Sequence, residues 1–528
     1  MNRLLECLGF HSDPFASTNA DDEPQLADYF VPPPYFAAVQ GDPRHPRPDV
    51  VLAPRGGGKT AQKRMIEQAS GPQNFMCIAY DRFDLPAGFE IADATWEYHA
   101  GQVCRLITVG ILAALEDDPD AVENLDEQQK RIVKFCAQRF LSDLSADEFQ
   151  AAVKGVKSLG DRAKDVWAKW GGPIAGLIDA VLDRLKLRAV NLDGAFEMEM
   201  GGDESFRYLL DRLSGVVRTL GLNSVFVLVD RVDEFALTAT DASNAFAFIR
   251  PLLIDLPTLE QDGIGFKFFL WDAMEDAFQG SGVRGDRVSV HSLQWSTEDL
   301  KLMISQRLKA FSDGRVGSLK ELMCDSTDLD VDTLAAFLAA GSPRDLIRLM
   351  ARVVAEETRV SDDKTCITPE AFWSGVAAFS VIRVNELFPG QLPEIRRVGA
   401  SGAVTFTVNR VANDIYRVTT QAARARVQGW TRTGMVAQIG EVPNPGNRPM
   451  YLYGPVDLRL ALAMLPNLPP DEVLANFALV CPECEAIAIS DEAEITCMRC
   501  AHRFSLRDAK SLYELCASRR SGSVRWPS

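Results

Sequence analysis

The sequence predicts an α/β chain. A parallel-sheet core opens on a phosphate-binding loop and carries a helical insertion and a helical lid; a winged-helix domain and a small zinc ribbon follow. Three observations lead to this reading. An apolar strand runs straight into a glycine-rich turn closed by Lys-Thr, at Val50-Val51-Leu52-Ala53-Pro54-Arg55-Gly56-Gly57-Gly58-Lys59-Thr60. A second apolar strand, Val225-Phe226-Val227-Leu228-Val229, ends on Asp230, with Asp233 and Glu234 just beyond. Two Cys-x-x-Cys pairs, Cys481/Cys484 and Cys497/Cys500, lie near the end of the chain with ribbon-like spacing.

Composition sets the bounds. A chain of 528 residues exceeds what one core organises, so several domains are expected. The net charge of −17 argues against a chain that is basic throughout, but leaves room for a local basic face. The longest apolar candidate for a membrane span, residues 171–185, is broken by Asp179, Asp183 and Arg184 and reads as amphipathic. No membrane partner is expected. The opening ten residues carry Glu6 within a short apolar run and do not read as a secretory signal, so a cytoplasmic location is expected. Seven scattered cysteines (Cys7, Cys77, Cys104, Cys136, Cys324, Cys366, Cys516) read as buried thiols of a reducing cytosol.

Taken in order, residues 1–49 are irregular and aromatic, with Tyr29-Phe30 and Tyr35-Phe36 around a proline run. They are expected either to contact the base of a nucleotide or to cover an edge of the core. The loop then supplies the phosphate chemistry. Gly56, Gly57 and Gly58, with Arg55, allow backbone N–H groups to close on a polyphosphate. Lys59 would reach the terminal phosphates of ATP, and the Thr60 hydroxyl would hold Mg²⁺. Ala53 stands where the usual pattern has its first glycine. Residues 75–80 read as the second strand, and 92–220 as a helical insertion. Asp230 is placed to hold Mg²⁺, and Glu234 to activate water, with Asp233 a competitor for either role. Residues 263–272 read as a fourth strand ending on Asp272, and 288–293 as a fifth. Between them, Arg284 and Arg287 lie in or beside a glycine-rich turn, Gly282 to Gly285. Residues 297–357 read as helices. Arg344 sits at the start of one, where its charge opposes the helix dipole and hints at an anionic partner.

These residues resemble the P-loop NTPases of the AAA+ and STAND superclass, including the origin-recognition-like and KAP-type branches. Ala53 to Thr60 is similar to their Walker A motif, and Val225 to Glu234 to a hydrophobic-D-x-x-D-E Walker B motif. Gly341-Ser342-Pro343-Arg344 resembles both the G-x-P motif and the sensor-2 arginine, and Gly9-Phe10…Pro14-Phe15 resembles an N-terminal box. The resemblance implies a P-loop ATPase core, a helical lid, ATP-driven changes of conformation and assembly into a homo-oligomer, with Arg284 and Arg287 candidates for an arginine finger that meets the γ-phosphate held by a neighbouring subunit.

Beyond residue 368 the character changes. Residues 371–464 hold ten arginines, no lysine and five acids. Two helix-like runs and a hairpin with a Pro-Asn-Pro-Gly-Asn tip read as a winged helix. Arg424, Arg426 and Arg432 fall near its recognition helix and Arg448 in the wing, which suits phosphate and base edges of DNA or RNA. The four cysteines Cys481, Cys484, Cys497 and Cys500 form a closed thiolate shell for structural Zn²⁺, with His502 a substitute ligand. The expected division is 1–49, 50–295, 296–367, 368–466, 477–508 and a tail, 509–528. The expected function is an ATP-hydrolysing switch that couples nucleotide state to assembly and nucleic-acid engagement, in a DNA transaction or a host-defence system. The alternative is an ATP-dependent adaptor that binds an effector protein through its insertion and ribbon.

Overall fold

The computed structural model describes residues 3–23, 25–83, 85–157, 174–187, 190, 205–278, 280–324, 328–360, 364–444 and 448–517. The chain forms two compact units. One comprises Asn19–Ala27 and Pro32–Gln294; the other comprises Met1–Thr18, Asp28–Val31 and Trp295–Ser528.

The first unit is built on a five-stranded sheet of β1 (Asp49–Ala53), β2 (Met76–Tyr80), β3 (Val225–Val229), β4 (Ile264–Trp271) and β5 (Ser289–Ser292). The order is β2-β3-β4-β1-β5, and every pairing is parallel. Parallel strands joined by crossovers are covered on both faces, so each needs an unbroken apolar sequence. Accordingly β1, β2 and β3 bury every residue, while β5 lies at an edge and is largely exposed. The connections leaving β1 and β4 run in opposite directions across the sheet. In open parallel sheets, ligands sit beyond the carboxyl ends of the strands at such a switch point.

One buried residue departs from the apolar rule. Lys267 in β4 lies 2.5 Å from the carboxylate of Asp49, the first residue of β1, and both are buried. Loss of either partner would leave an uncompensated buried charge. Between β2 and β3 the chain forms the helices Trp96–Asp117, Glu127–Leu141, Ala146–Gly155, Ile174–Arg184 and Ser205–Thr219. Among the described residues, Trp96–Asp117 is the helix whose length and composition match a membrane span, and 72% of its most apolar window is buried inside the protein. Gln102, Arg105 and Thr108 break the apolar run, which is why a search for uninterrupted apolar residues passes over it.

In the second unit, Arg307 on the helix Thr297–Phe311 is buried and gathers the start of the chain. It donates to the carbonyls of Pro14 (2.5 Å) and Ser17 (3.2 Å) and to the Tyr29 hydroxyl (2.9 Å). The helices Pro343–Val360 and Pro369–Leu387 follow. Next come the short helix Leu392–Gly399, β6 (Phe406–Thr407), the helix Thr420–Arg432, β7 (Val436–Val442) and β8 (Met450–Pro455). The antiparallel order β6-β8-β7, with the hairpin β7–β8 after the helix, is a winged helix. Its core includes Ile395, Phe406, Val411, Val427 and Trp430. The expected wing tip at Pro445-Gly446-Asn447 and the last part of the expected tail lie outside the described residues.

At the end of the chain, β9 (Ala478–Val480), β10 (Ile487–Ile489) and β13 (Lys510–Ser511) form one small sheet, and β11 (Glu494–Thr496) with β12 (Arg503–Ser505) another. The two scattered cysteines Cys324 and Cys366 are not free thiols: they form a disulfide. Parallel pairing of Met323 with Ile367 sets the two backbones side by side. Cys7 is exposed rather than buried.

Candidate functional site

The phosphate loop follows β1. Gly56 and Gly58 have φ values of 80° and 99°, a region open to glycine. A Cβ on Gly57 would stand 2.9 Å from the Pro54 carbonyl oxygen. The backbone therefore needs glycine at all three places. Ala53 does not pose that demand, because it stays in the ladder opposite Trp271. The helix Lys59–Gln73 begins without a side-chain cap, leaving its first amides open to an anion. Lys59 folds over the loop and donates to the carbonyls of Ala53 (2.9 Å) and Pro54 (3.3 Å). Burial lowers the pKa of its ammonium, against the opposing pull of the Asp233, Asp230 and Asp272 carboxylates.

Those acids come from the carboxyl ends of β3 and β4, so the sheet itself assembles the site. The Thr60 hydroxyl lies 3.3 Å from Asp230, whose other oxygen accepts the Arg231 amide at 2.9 Å. Burial raises the Asp230 pKa against the pull of Lys63. This hydroxyl–carboxylate pair has the oxygen chemistry that Mg²⁺ takes.

Lys63 is the residue that the sequence reading missed. It is buried one helical turn after Lys59, 2.5 Å from Asp81, 3.6 Å from Asp230 and 3.9 Å from Glu67. Burial alone would depress its pKa, but these three carboxylates raise it. The available signal was a lysine four positions after Lys59, with an acid immediately after β2.

Arg55 is engaged with the acid loop. Its Nε donates to Asp233 (2.9 Å), its terminal nitrogen donates to the carbonyls of Asp233 (2.8 Å) and Ala239 (2.6 Å), and its guanidinium lies 4.2 Å above the Trp271 ring. Asp233 is buried, whereas Glu234 is exposed, 3.6 Å from Arg231. Arg231 has a φ of 59° and pairs with Asp21.

The remaining candidates lie elsewhere. Arg284 and Arg287 precede β5, at the amino ends of the strands and so at the opposite end of the sheet from the loop. Each makes a bidentate pair, with Asp286 (2.8 and 2.7 Å) and Glu260 (2.6 and 2.8 Å). Arg344 belongs to the second unit and is exposed. The next residue, Asp345, is buried and accepts from Arg383 (2.8 Å) and Arg459 (2.6 Å).

On the winged helix, Arg424, Arg432 and Arg448 are exposed and have no hydrogen-bond or ion-pair partner among the described residues. Arg426 differs from them. It pairs with Glu394 and lies 4.2 Å over Tyr416, whose hydroxyl donates to Glu394 at 3.0 Å.

The sulfurs of Cys481, Cys484, Cys497 and Cys500 all lie within 4.8 Å of one another. Cys481 and Cys500 are 3.7 Å apart, and Cys484 and Cys497 3.5 Å. Four sulfurs at ~2.3 Å around a tetrahedral zinc stand about 3.8 Å apart, so the set fits the ion. The two knuckles share one backbone device. Glu485 and Ala501 each follow a second cysteine at φ of 58° and 59°, and donate back to the carbonyls of Cys481 and Cys497. The His502 ring is outside the cluster and stacks with Phe504.

No protein-family model and no curated protein matches the chain. Among solved structures, the Aeropyrum pernix ORC1 protein in complex with DNA is similar at 11% identity and a TM-score of 0.38, covering 85% of this chain and 96% of that one. The Aeropyrum pernix ORC2 protein in its ADPNP-ADP complexes is similar at 11% identity and a TM-score of 0.37, over 85% and 96%. Scores at this level carry no weight for function, which is argued here from the residues of this chain.

Proposed function

We propose that the chain is an ATP-binding and ATP-hydrolysing switch whose nucleotide state governs assembly and engagement of nucleic acid. The observation that supports it best is the convergence of Lys59, Thr60 and Asp230 on one glycine loop at the carboxyl end of a parallel sheet. Lys59 would exchange its two carbonyl contacts for the β- and γ-phosphates of ATP, while the loop amides hold the remaining oxygens. Thr60 and Asp230 would hold Mg²⁺, which supplies charge to the leaving phosphates when bound. Asp233 is held by Arg55; Glu234, exposed beside Arg231, is the carboxylate assigned to orient and deprotonate water. Lys59→Ala should abolish ATP binding or turnover. Glu234→Gln should retain ATP while turnover falls ~10²-fold or more. Undiminished turnover in Glu234→Gln would return the role to Asp233.

The nucleic-acid part of the proposal rests on Arg424, Arg432 and Arg448 of the winged helix. Arg426, half-buried and paired with Glu394 over Tyr416, is assigned to holding that domain together. The assembly part rests on Arg284 and Arg287, whose surface carboxylate pairs a neighbour's phosphate could replace. Mixing Arg287→Ala with Lys59→Ala should then restore part of the turnover that each lacks alone. ATP-independent monomers with no such rescue would remove the finger. The six-part division along the chain and a cytoplasmic location belong to the same proposal.

A further inference from the structure

We propose that a recess between the carboxyl end of β2 and the helical insertion is a second anion site, taking a phosphate-type oxyanion on Arg82 and Arg105. This goes beyond the nucleotide reading and does not depend on it. The recess is small, about 20 Å³, and opens to solvent, so an oxyanion would sit at its mouth. Arg82, Gln102 and Arg105 bring N–H donors to its lining, and Leu106, Ala151 and Ala152 supply an apolar wall.

Neither arginine has a hydrogen-bond or ion-pair partner among the described residues. For exposed Arg82 that is ordinary. For Arg105 it is not, because its Nε is buried and donates to nothing. A buried guanidinium N–H left in this state favours arrival of an acceptor.

The nearby acids are already committed. Asp81 lines the recess but is held by Lys63 at 2.5 Å. Glu148 is close enough to Arg105 to feel its charge, yet its carboxylate accepts the Ser145 amide at 2.8 Å. The Tyr80 hydroxyl is bound to His99 at 2.8 Å. These acids offset the charge of the two arginines, but they leave the guanidinium N–H groups without an acceptor. Planar guanidinium forks suit a tetrahedral oxyanion, and an amide adds a neutral donor. A small phosphorylated molecule and the phosphate of a nucleic-acid strand present this same group.

The test uses the full chain, with the glycine loop saturated by a non-hydrolysable ATP analogue and Mg²⁺. Inorganic phosphate is titrated calorimetrically, and a short oligonucleotide is titrated in parallel. The wild type should bind phosphate saturably, and the Arg82→Gln/Arg105→Gln variant should lose at least ~10-fold in affinity. The ATP analogue should bind both equally. Arg82→Gln alone removes an exposed side chain without a partner, so it should lose affinity without loss of fold, and Arg105→Lys should keep part of the binding. If oligonucleotide affinity falls in the same variants, the bound phosphate is that of a strand. If only inorganic phosphate responds, it is that of a small molecule. Phosphate binding that fails to saturate below ~10 mM, or that is equal in wild type and variants, overturns the site. Failure of the analogue to bind would count against the nucleotide reading alone, since the phosphate titration still reports on the recess.

Discussion

At the scale of the residue, the first unit is governed by a few buried charges and by one buried imidazole. His99 lies between the Tyr80 hydroxyl and the Phe248 carbonyl, both at 2.8 Å. The carbonyl requires a proton on Nε2, so Nδ1 accepts from tyrosine. Burial lowers the His99 pKa to about 4, against the pull of that carbonyl. In the unfolded chain an imidazole titrates near ~6.5. Protonation therefore favours unfolding. The contribution of His99 is complete above ~6.5 and is lost as pH falls towards 4, a difference of about 3 kcal/mol. Calorimetric scans of wild type and His99→Gln should diverge above pH 6 and converge near pH 4. Parallel curves would show that His99 does not carry the pH dependence. Lys63 teaches a second lesson. It is unremarkable in a helix that already carries Lys59, and only the fold shows that it bridges Asp81 and Asp230.

At the scale of the element, what was legible in the sequence followed from local chemistry. Continuous apolar runs marked β1, β2 and β3 because crossovers cover both faces of the sheet there, whereas the edge strand β5 carries Ser289, His291 and Ser292. The glycine loop was legible because two positive φ values and one close approach leave no other residue type. The ribbon was legible because thiolate spacing is set by the metal. What was hidden depends on distant pairing. Glu394 and Tyr416 claim Arg426 from the presumed DNA face, and the Cys324–Cys366 disulfide joins positions 42 apart.

Three predictions belong at this scale. Cys497→Ser, or chelation, should release one zinc per chain and destabilise the ribbon, while ATP binding persists; metal analysis and a binding titration check this. Nucleic-acid affinity should fall with rising salt, and replacing Arg424, Arg432 and Arg448 should flatten that slope by about three phosphate contacts. Replacing Arg426 instead should loosen the winged helix and lower its melting temperature.

At the scale of the whole molecule, the order of the chain and the order of the fold disagree. The first eighteen residues belong to the unit whose other parts begin at residue 28 and at residue 295, and the residues between them belong to the sheet unit. Deleting residues 1–18 removes Leu4, Leu5, Phe10 and Phe15, all buried, and strips Arg307 of its Pro14 and Ser17 acceptors. The deletion should lower the unfolding temperature of the C-terminal unit and leave that of the sheet unit unchanged. Limited proteolysis should then cut first beyond residue 295. Equal loss in both units would be the contrary result. Arg307→Met should give a smaller effect of the same kind.

That arrangement has a consequence for the protein's birth. Pro14 and Arg307 are separated by 293 positions. At about 5–20 residues per second, a ribosome takes ~15–60 s to deliver the helix that the opening segment packs against. Throughout that interval Leu4, Leu5, Phe10 and Phe15 are outside the exit tunnel without their final neighbours. These apolar side chains therefore stay without their final cover until synthesis passes residue 311.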